Sequence, residues 1–167
     1  MRNFDDLYRY CYLVASVVGL TTIHVFGFRD PRAVALAEKC GIAFQLTNII
    51  RDVREDALDG RIYLPEEERE QFGVAKDSLR ATETSEAVRR LLEFEGARAR
   101  AYYLESRPLI EMVSEDSRPA LWALIEIYRR LLERIAGRDY DVMSERIALS
   151  TAEKLSVLAQ AWGKRLL

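Results

Sequence analysis

Apolar and polar positions along this chain recur with the period of helices rather than of strands. The longest uncharged run, Tyr10 to Phe28, covers 19 residues and makes up most of a first helix predicted from Phe4 to about Val25. So uniform a run predicts burial on nearly all sides, at the centre of a bundle. Its length reaches the lower range for a membrane span. Ser16, Gly19, Thr21, Thr22, His24 and Gly27 dilute it, however, and Asp5 and Asp6 precede it where a signal peptide carries positive charge. A buried helix is the expectation, with His24 as a core histidine.

Gly27 and the pair Asp30-Pro31 break the pattern, Asp30 suiting an N-cap and Pro31 the first helical position. A second helix is predicted from there to about Ala57. Asp59-Gly60-Arg61 reads as a turn, and Ile62 to Pro65 as a short extended segment, since proline disfavours helix in the residue before it. Pro65 opens a short helix that Gly73 ends. Thr82 to Ser85 offer caps for a long helix from about Ser85 to Val113, with Val88, Leu91, Leu92, Gly96, Ala99 and Tyr103 on one face and Pro108 kinking or interrupting its end.

After a break at Ser114 to Pro119, a stripe of Leu121, Leu124, Ile125, Tyr128, Leu131, Leu132 and Ile135 predicts a helix from about Ala120 to Ile135, stopped by Gly137. Ser150 and Thr151 cap a last helix whose apolar face carries Leu155, Leu158, Ala159 and Trp162. No alternating strand pattern or internal repeat occurs. The expected fold is all-α, an antiparallel helix bundle forming one domain over residues 1–167.

Composition narrows the functional classes. Apolar residues are 49% and charged residues 31% of the chain, as in a folded soluble protein. The net charge of −2 gives no global attraction to nucleic acid, so any phosphate binding must be local. Cys11 and Cys40 lie in apolar helical stretches without CxxC spacing, which predicts buried free thiols in a reducing compartment. With one histidine, His24, a histidine metal cluster and a Ser-His-Asp triad are poorly supported.

The chemistry-bearing segment is Gln45 to Asp56. At about 100° per residue, Gln45, Asn48, Asp52 and Asp56 fall within an arc of roughly 80°. This stripe borders the apolar face of Ile42, Leu46, Ile49, Ile50 and Val53, which puts the carboxylates at the edge of the core. Carboxylates at i and i+4 lie about 5–6 Å apart at Cβ, near enough to share a divalent ion and to repel without one. Mg²⁺ takes oxygen ligands from one or two carboxylates and completes its shell with water or substrate phosphate. Taken alone, a DxxxD spacing equally describes an exposed helix face, with Arg51 and Glu55 forming an ordinary i,i+4 pair.

The whole string from Gln45 to Pro65, QLTNIIRDVREDALDGRIYLP, resembles the second aspartate-rich motif of the squalene/phytoene synthase family. Tyr10 to Gly19, YCYLVASVVG, resembles that family's YCYxVAGxVG motif, with Ser16 in place of the more usual glycine. The resemblance implies an isoprenoid-synthase-type bundle in which Asn48, Asp52 and Asp56 hold Mg²⁺ while Gln45 and Arg51 face a diphosphate. Tyr10, Val14, Ala15 and Gly19 would line the prenyl pocket, with Tyr10 near the reacting carbons. Tyr128 and Arg146 match less distinctive family positions near the diphosphate; as plain residues they read equally as a bundle-core tyrosine and a surface arginine.

The implied activity is Mg²⁺-dependent head-to-head condensation of two farnesyl diphosphates to presqualene diphosphate or squalene. The VASVVGL and HVFGF segments look nearest to bacterial presqualene diphosphate synthases of hopanoid pathways. A phytoene synthase using geranylgeranyl diphosphate is the alternative, and a non-catalytic helical module that keeps the scaffold is a third reading. The family's first aspartate-rich motif and N-terminal helices, upstream of the YCY helix, have no counterpart in this sequence. The chain is therefore expected to correspond to a C-terminal portion and to be inactive alone. Cytoplasmic location, peripheral contact with the inner membrane, and self-association through apolar surface on the first helix complete the expectations.

Overall fold

The computed structural model describes residues 1–165, with side chains through Gly163. The helices are α1 (Phe4–Cys11), α2 (Val17–Phe26), α3 (Arg32–Leu58), α4 (Glu66–Gln71), α5 (Glu86–Ser106), α6 (Leu109–Met112), α7 (Arg118–Gly137) and α8 (Thr151–Arg165). The fold is all-α. Among the described residues, extended pairing is confined to one isolated antiparallel bridge between Phe28 and Val113.

The axis of the bundle is α3. Its Ile42, Ala43, Leu46, Ile49, Ile50 and Ala57 are buried, and α5 packs along it most extensively. Asp30 caps its start as expected: its Oδ1 accepts from Arg32 N–H at 2.9 Å, with Pro31 between them. At its other end Gly60 takes φ +78°, a conformation that favours glycine, and Arg61 N–H bonds back to Asp56 O at 2.7 Å. This folds the following extended segment back against the helix.

The predicted first helix is not continuous. Between α1 and α2 the chain widens into one π turn, Tyr12–Ser16. Here α3 comes close enough that a Cβ on Gly41 would lie 2.6 Å from Ser16 Cα. Ser16 is fully buried, and its Oγ–H donates to Glu38 O at 2.9 Å. The hydroxyl therefore finds a partner on α3 at the point of closest backbone approach. Cys11 and Cys40 are buried and free, and burial pushes both thiols up to about 12.

Burial of this helix on nearly all sides is overturned. Leu7, Cys11, Ser16 and Ile23 face inward, but Val18 is 62% and Val25 80% exposed, and Leu13, Val14 and Val17 are also exposed. An uncharged run has no polar face to mark its outside, and α2 has α3 along only one side. His24 is corrected likewise: it is exposed, its Nδ1–H donates to Leu20 O at 2.7 Å, and its ring meets Phe28 edge-on.

Later elements follow the pattern with local shifts. Ser85 Oγ caps α5, whose expected inner face is buried throughout, and Pro108 interrupts the helix so that α6 is separate. Helix α7 starts at Arg118, earlier than expected, because proline is tolerated in a first turn. Ser150 and Glu153 cap α8 reciprocally, Ser150 N–H reaching Glu153 Oε2 at 2.8 Å and Glu153 N–H reaching Ser150 Oγ at 3.3 Å. The expected apolar face of α8 is corrected. Leu155, Leu158, Ala159 and Trp162 are exposed, whereas Val157 and Ala161 pack against Ala123 of α7. Small side chains allow two helices to approach closely, so a narrow seam replaces the broad stripe.

A buried charge cluster unanticipated by the hydrophobic pattern joins α1, α4 and α5. Arg98 bonds Glu68 at 2.6 Å and Glu95 at 2.9 Å, and its guanidinium lies 3.8 Å from the centroid of Phe4. Glu95 is 1% exposed, and its burial, with Glu68 alongside, pushes its carboxyl up to about 8 against the pull of Arg98. Glu68 ends below its ordinary value: burial raises it, but the bonds to Arg98 and Glu95 outweigh that.

Two stability predictions follow from these packings. Gly41→Ala, which meets unyielding backbone, lowers unfolding stability by about 1–3 kcal/mol. Gly137→Ala, with nothing within 4 Å, is neutral or slightly stabilising in the same denaturant titration. Because the folded carboxyl of Glu95 is raised, its contribution is complete below the unfolded value of about 4.5. It is lost as pH rises towards about 8. Glu68, already ionised in both states over most of that window, adds little slope. Urea midpoints of the wild type should therefore fall between pH 5.5 and 8.5, and Glu95→Gln should flatten that fall.

Candidate diphosphate and metal site

One side of α3 carries the expected stripe to the end of an apolar cavity of about 300 Å³. Val14, Ala15, Val18 and Gly19 form one wall, Gln45 and Asn48 stand on α3, and Leu109, Leu121, Leu124 and Tyr128 close the far side. Six predicted residues thus line one cavity: Val14, Ala15, Gly19, Gln45, Asn48 and Tyr128. Tyr128 is neither a plain core residue nor free, since it stacks on Phe44 with ring centroids 4.4 Å apart. Behind that pair, Tyr103 and Thr47 share a buried hydroxyl–hydroxyl bond of 2.8 Å, which fixes α5 against α3.

Tyr10 is corrected in position. It is not among the lining residues of this cavity; it stacks on Tyr63, centroids 4.6 Å apart, on the side of Asp56. Tyr10 precedes the π turn, which begins at Tyr12 and contains Val14, and of the two only Val14 lines the cavity. Burial holds the Tyr10 phenol above its usual range.

Asp52 is the charged hub. Arg51 grips both its oxygens, Nε at 2.7 Å from Oδ1 and Nη2 on Oδ2. Arg146, from the loop before α8, reaches the same Oδ1 with Nε at 3.1 Å and Nη2 at 3.0 Å, and its Nε also lies 3.3 Å from Glu55. The ordinary Arg51–Glu55 helix pair is therefore replaced by a four-residue cluster. Arg146 is held in reach because Met143 and Ile147 on either side of it are buried, and Asp141 accepts from Thr84 Oγ at 2.6 Å.

The two carboxylates of the stripe are pushed in opposite directions. Burial would raise Asp52, but its bonds to Arg51 and Arg146 prevail and hold it below its ordinary value. Asp56 is raised: burial outweighs the attraction of Arg61, whose Nη2 is 3.3 Å away, and Asp52 and Asp59 add repulsion. Between them and the cavity, Asn48 Oδ1 is buried with no hydrogen-bond partner.

That unpartnered oxygen is the observation that fits a cation. Asn48, Asp52 and Asp56 offer an all-oxygen set suited to a hard divalent ion. No group of three His, Cys, Asp or Glu side chains clusters as a ready-made metal cage among the described residues. The arrangement is thus a partial donor set. A larger cleft of about 650 Å³ opens elsewhere, between Phe28–Arg32 and Pro108–Arg118, but none of the motif residues lines it.

Arg61, Tyr63, Glu55 and Phe44 complete the site without having been singled out from the sequence. Glu55, Arg61 and Tyr63 were legible as members of the Gln45–Pro65 string, whereas Phe44 carried no signal apart from helical position.

Comparison with known proteins concerns the chain as a whole. A profile of the family described as squalene/phytoene synthase matches residues 1–153. Phytoene synthase 1, chloroplastic, of Arabidopsis thaliana is 38% identical over 99% of this chain and 41% of its own length. A crystal structure of a dehydrosqualene synthase with ligand superposes with TM-score 0.88 at 34% identity, covering 98% of this chain and 58% of that one. Squalene synthase HpnC from Alicyclobacillus acidocaldarius superposes with TM-score 0.73 at 32% identity, covering 84% and 53%. The chain spans about half the length of these relatives.

Proposed function

The chain belongs to the squalene/phytoene synthase family, and from that premise we propose that residues 1–167 form one helical domain supplying the second half-site of a head-to-head prenyltransferase. The observation that carries this reading is the Asn48-Asp52-Asp56 stripe, which starts at the lining of an apolar cavity with Asn48 and whose Asn48 Oδ1 is buried without a hydrogen-bond partner. Asn48, Asp52 and Asp56 would hold Mg²⁺, which when bound offsets charge on a departing diphosphate. Gln45, Arg51 and Arg146 orient the diphosphate by charge-assisted hydrogen bonds. Val14, Ala15, Gly19 and Leu124 exclude water from the prenyl chain, and Tyr128, held flat by Phe44, presents a ring face to developing positive charge. Tyr10, packed on Tyr63 beside Asp56, supports the metal end rather than the prenyl wall.

The proposed substrate is a prenyl diphosphate. Farnesyl diphosphate, with presqualene diphosphate or squalene as product, is supported by likeness to the squalene and dehydrosqualene synthase structures. Geranylgeranyl diphosphate and phytoene are supported to a similar degree by identity with the plant phytoene synthase. The free buried thiols support a cytoplasmic, reducing location. The apolar outer face of α2 supports self-association, or peripheral contact with a membrane.

The half-site is tested by calorimetry of the chain with pyrophosphate. Binding should need Mg²⁺, and Asp52→Ala should weaken it more than about tenfold by removing a charged ligand. Binding that is indifferent to Mg²⁺ and to Asp52 would leave a ligand-free helical scaffold as the better reading. The chain alone should not condense farnesyl diphosphate, since metal ions are then held from one side only; product formation by the purified chain would refute this.

A further inference from the structure

Both carboxylate oxygens of Asp52 are engaged by guanidiniums in this conformation. Its Oδ1 receives Arg51 Nε at 2.7 Å together with Arg146 Nε and Nη2 at 3.1 and 3.0 Å, and its Oδ2 receives Arg51 Nη2. With Glu55 on the far side of Arg146, the cluster holds two positive and two negative charges. Its side chains differ in mobility: Arg51 and Asp52 are each about four-fifths shielded, whereas the Arg146 side chain is 53% exposed on a loop.

We infer that Arg51 and Arg146 form an exchangeable clasp on Asp52, released only when cation and diphosphate arrive together, so that the chain couples the binding of the two. The inference rests on the proposed reading of the α3 stripe. A divalent cation alone would have to displace two guanidiniums and leave them unpaired beside its own charge. A diphosphate alone would meet Asp52, Glu55 and Asp56 while the arginines remain engaged. When both bind, the cation takes the Asp52 oxygens and the freed guanidiniums turn to the diphosphate oxygens, for which their planar fork is suited. Each arginine exchanges one anionic partner for another, and no charge is stranded. The coupling is reciprocal by linkage: each ligand strengthens the other by the same factor.

The clasp predicts effects of opposite sign from one substitution. In calorimetry of the chain at low ionic strength, Arg146→Gln should tighten Mg²⁺ binding in the absence of diphosphate by roughly fivefold, the scale of a partly exposed ion pair. In saturating Mg²⁺ the same variant should bind pyrophosphate more than about tenfold more weakly. Arg51→Gln, which removes the other fork from within the helix, should show the same crossed pattern, and thermal melts establish that each variant is folded. Unchanged or weaker Mg²⁺ binding by both folded variants, with Mg²⁺-dependent pyrophosphate binding intact in the wild type, overturns the clasp alone. Absence of pyrophosphate binding by the wild type at any Mg²⁺ concentration overturns the half-site reading and the clasp with it.

Discussion

The approach of α3 to the π turn at Tyr12–Ser16 is the constraint on which the site depends. Gly41 meets the Ser16 backbone where no side chain would fit, and Ser16 spends its hydroxyl on Glu38 O. That contact fixes both the rotation of α3 and its distance from the α1–α2 run. One and two turns beyond it Gln45 and Asn48 line the cavity, and a third turn on Asp52 is partly exposed. The small residues of the YCY motif shape both the crossing and the cavity: Ala15 and Gly19 line the cavity, and Ser16 closes the crossing.

Electrostatics then divide the stripe. Asp52 and Asp56 are one turn apart on the same face, yet Asp52 is paired with two guanidiniums and Asp56 with one, that of Arg61 at 3.3 Å, which does not offset its burial. Asn48, lacking charge, can sit deeper with an unpartnered oxygen at far lower cost than a carboxylate. A gradient results along α3, from apolar wall to neutral amide to carboxylates, matching a ligand with a hydrocarbon tail and a charged head.

Much of this was legible in the sequence because it is local. Helical periodicity located α3, α5 and α7, caps such as Asp30 and Ser85 set their starts, and the GRIYLP string marked the return of the chain. What periodicity could not supply was the identity of each helix's neighbours. The uncharged Tyr10–Phe28 run looked buried all round, although one face of α2 has no partner; the outer residues of α8 looked like a core stripe for the same reason. The π turn at Tyr12–Ser16 leaves no mark in residue type. Arg146 illustrates the limit most clearly, since only the folded loop brings it 94 positions back along the chain to Asp52.

The central claim is that Asn48, Asp52 and Asp56 together receive the cation of a cation–diphosphate pair. Paramagnetic Mn²⁺ added with pyrophosphate to the isotope-labelled chain reports this directly, because line broadening falls steeply with distance from the ion. The side-chain amide signals of Asn48 and Gln45 and the backbone amides around Asp52 and Asp56 should broaden first, and only weakly without pyrophosphate. Broadening centred instead on the cleft near Glu111 and Glu115, with the Asn48 signals untouched, would contradict it.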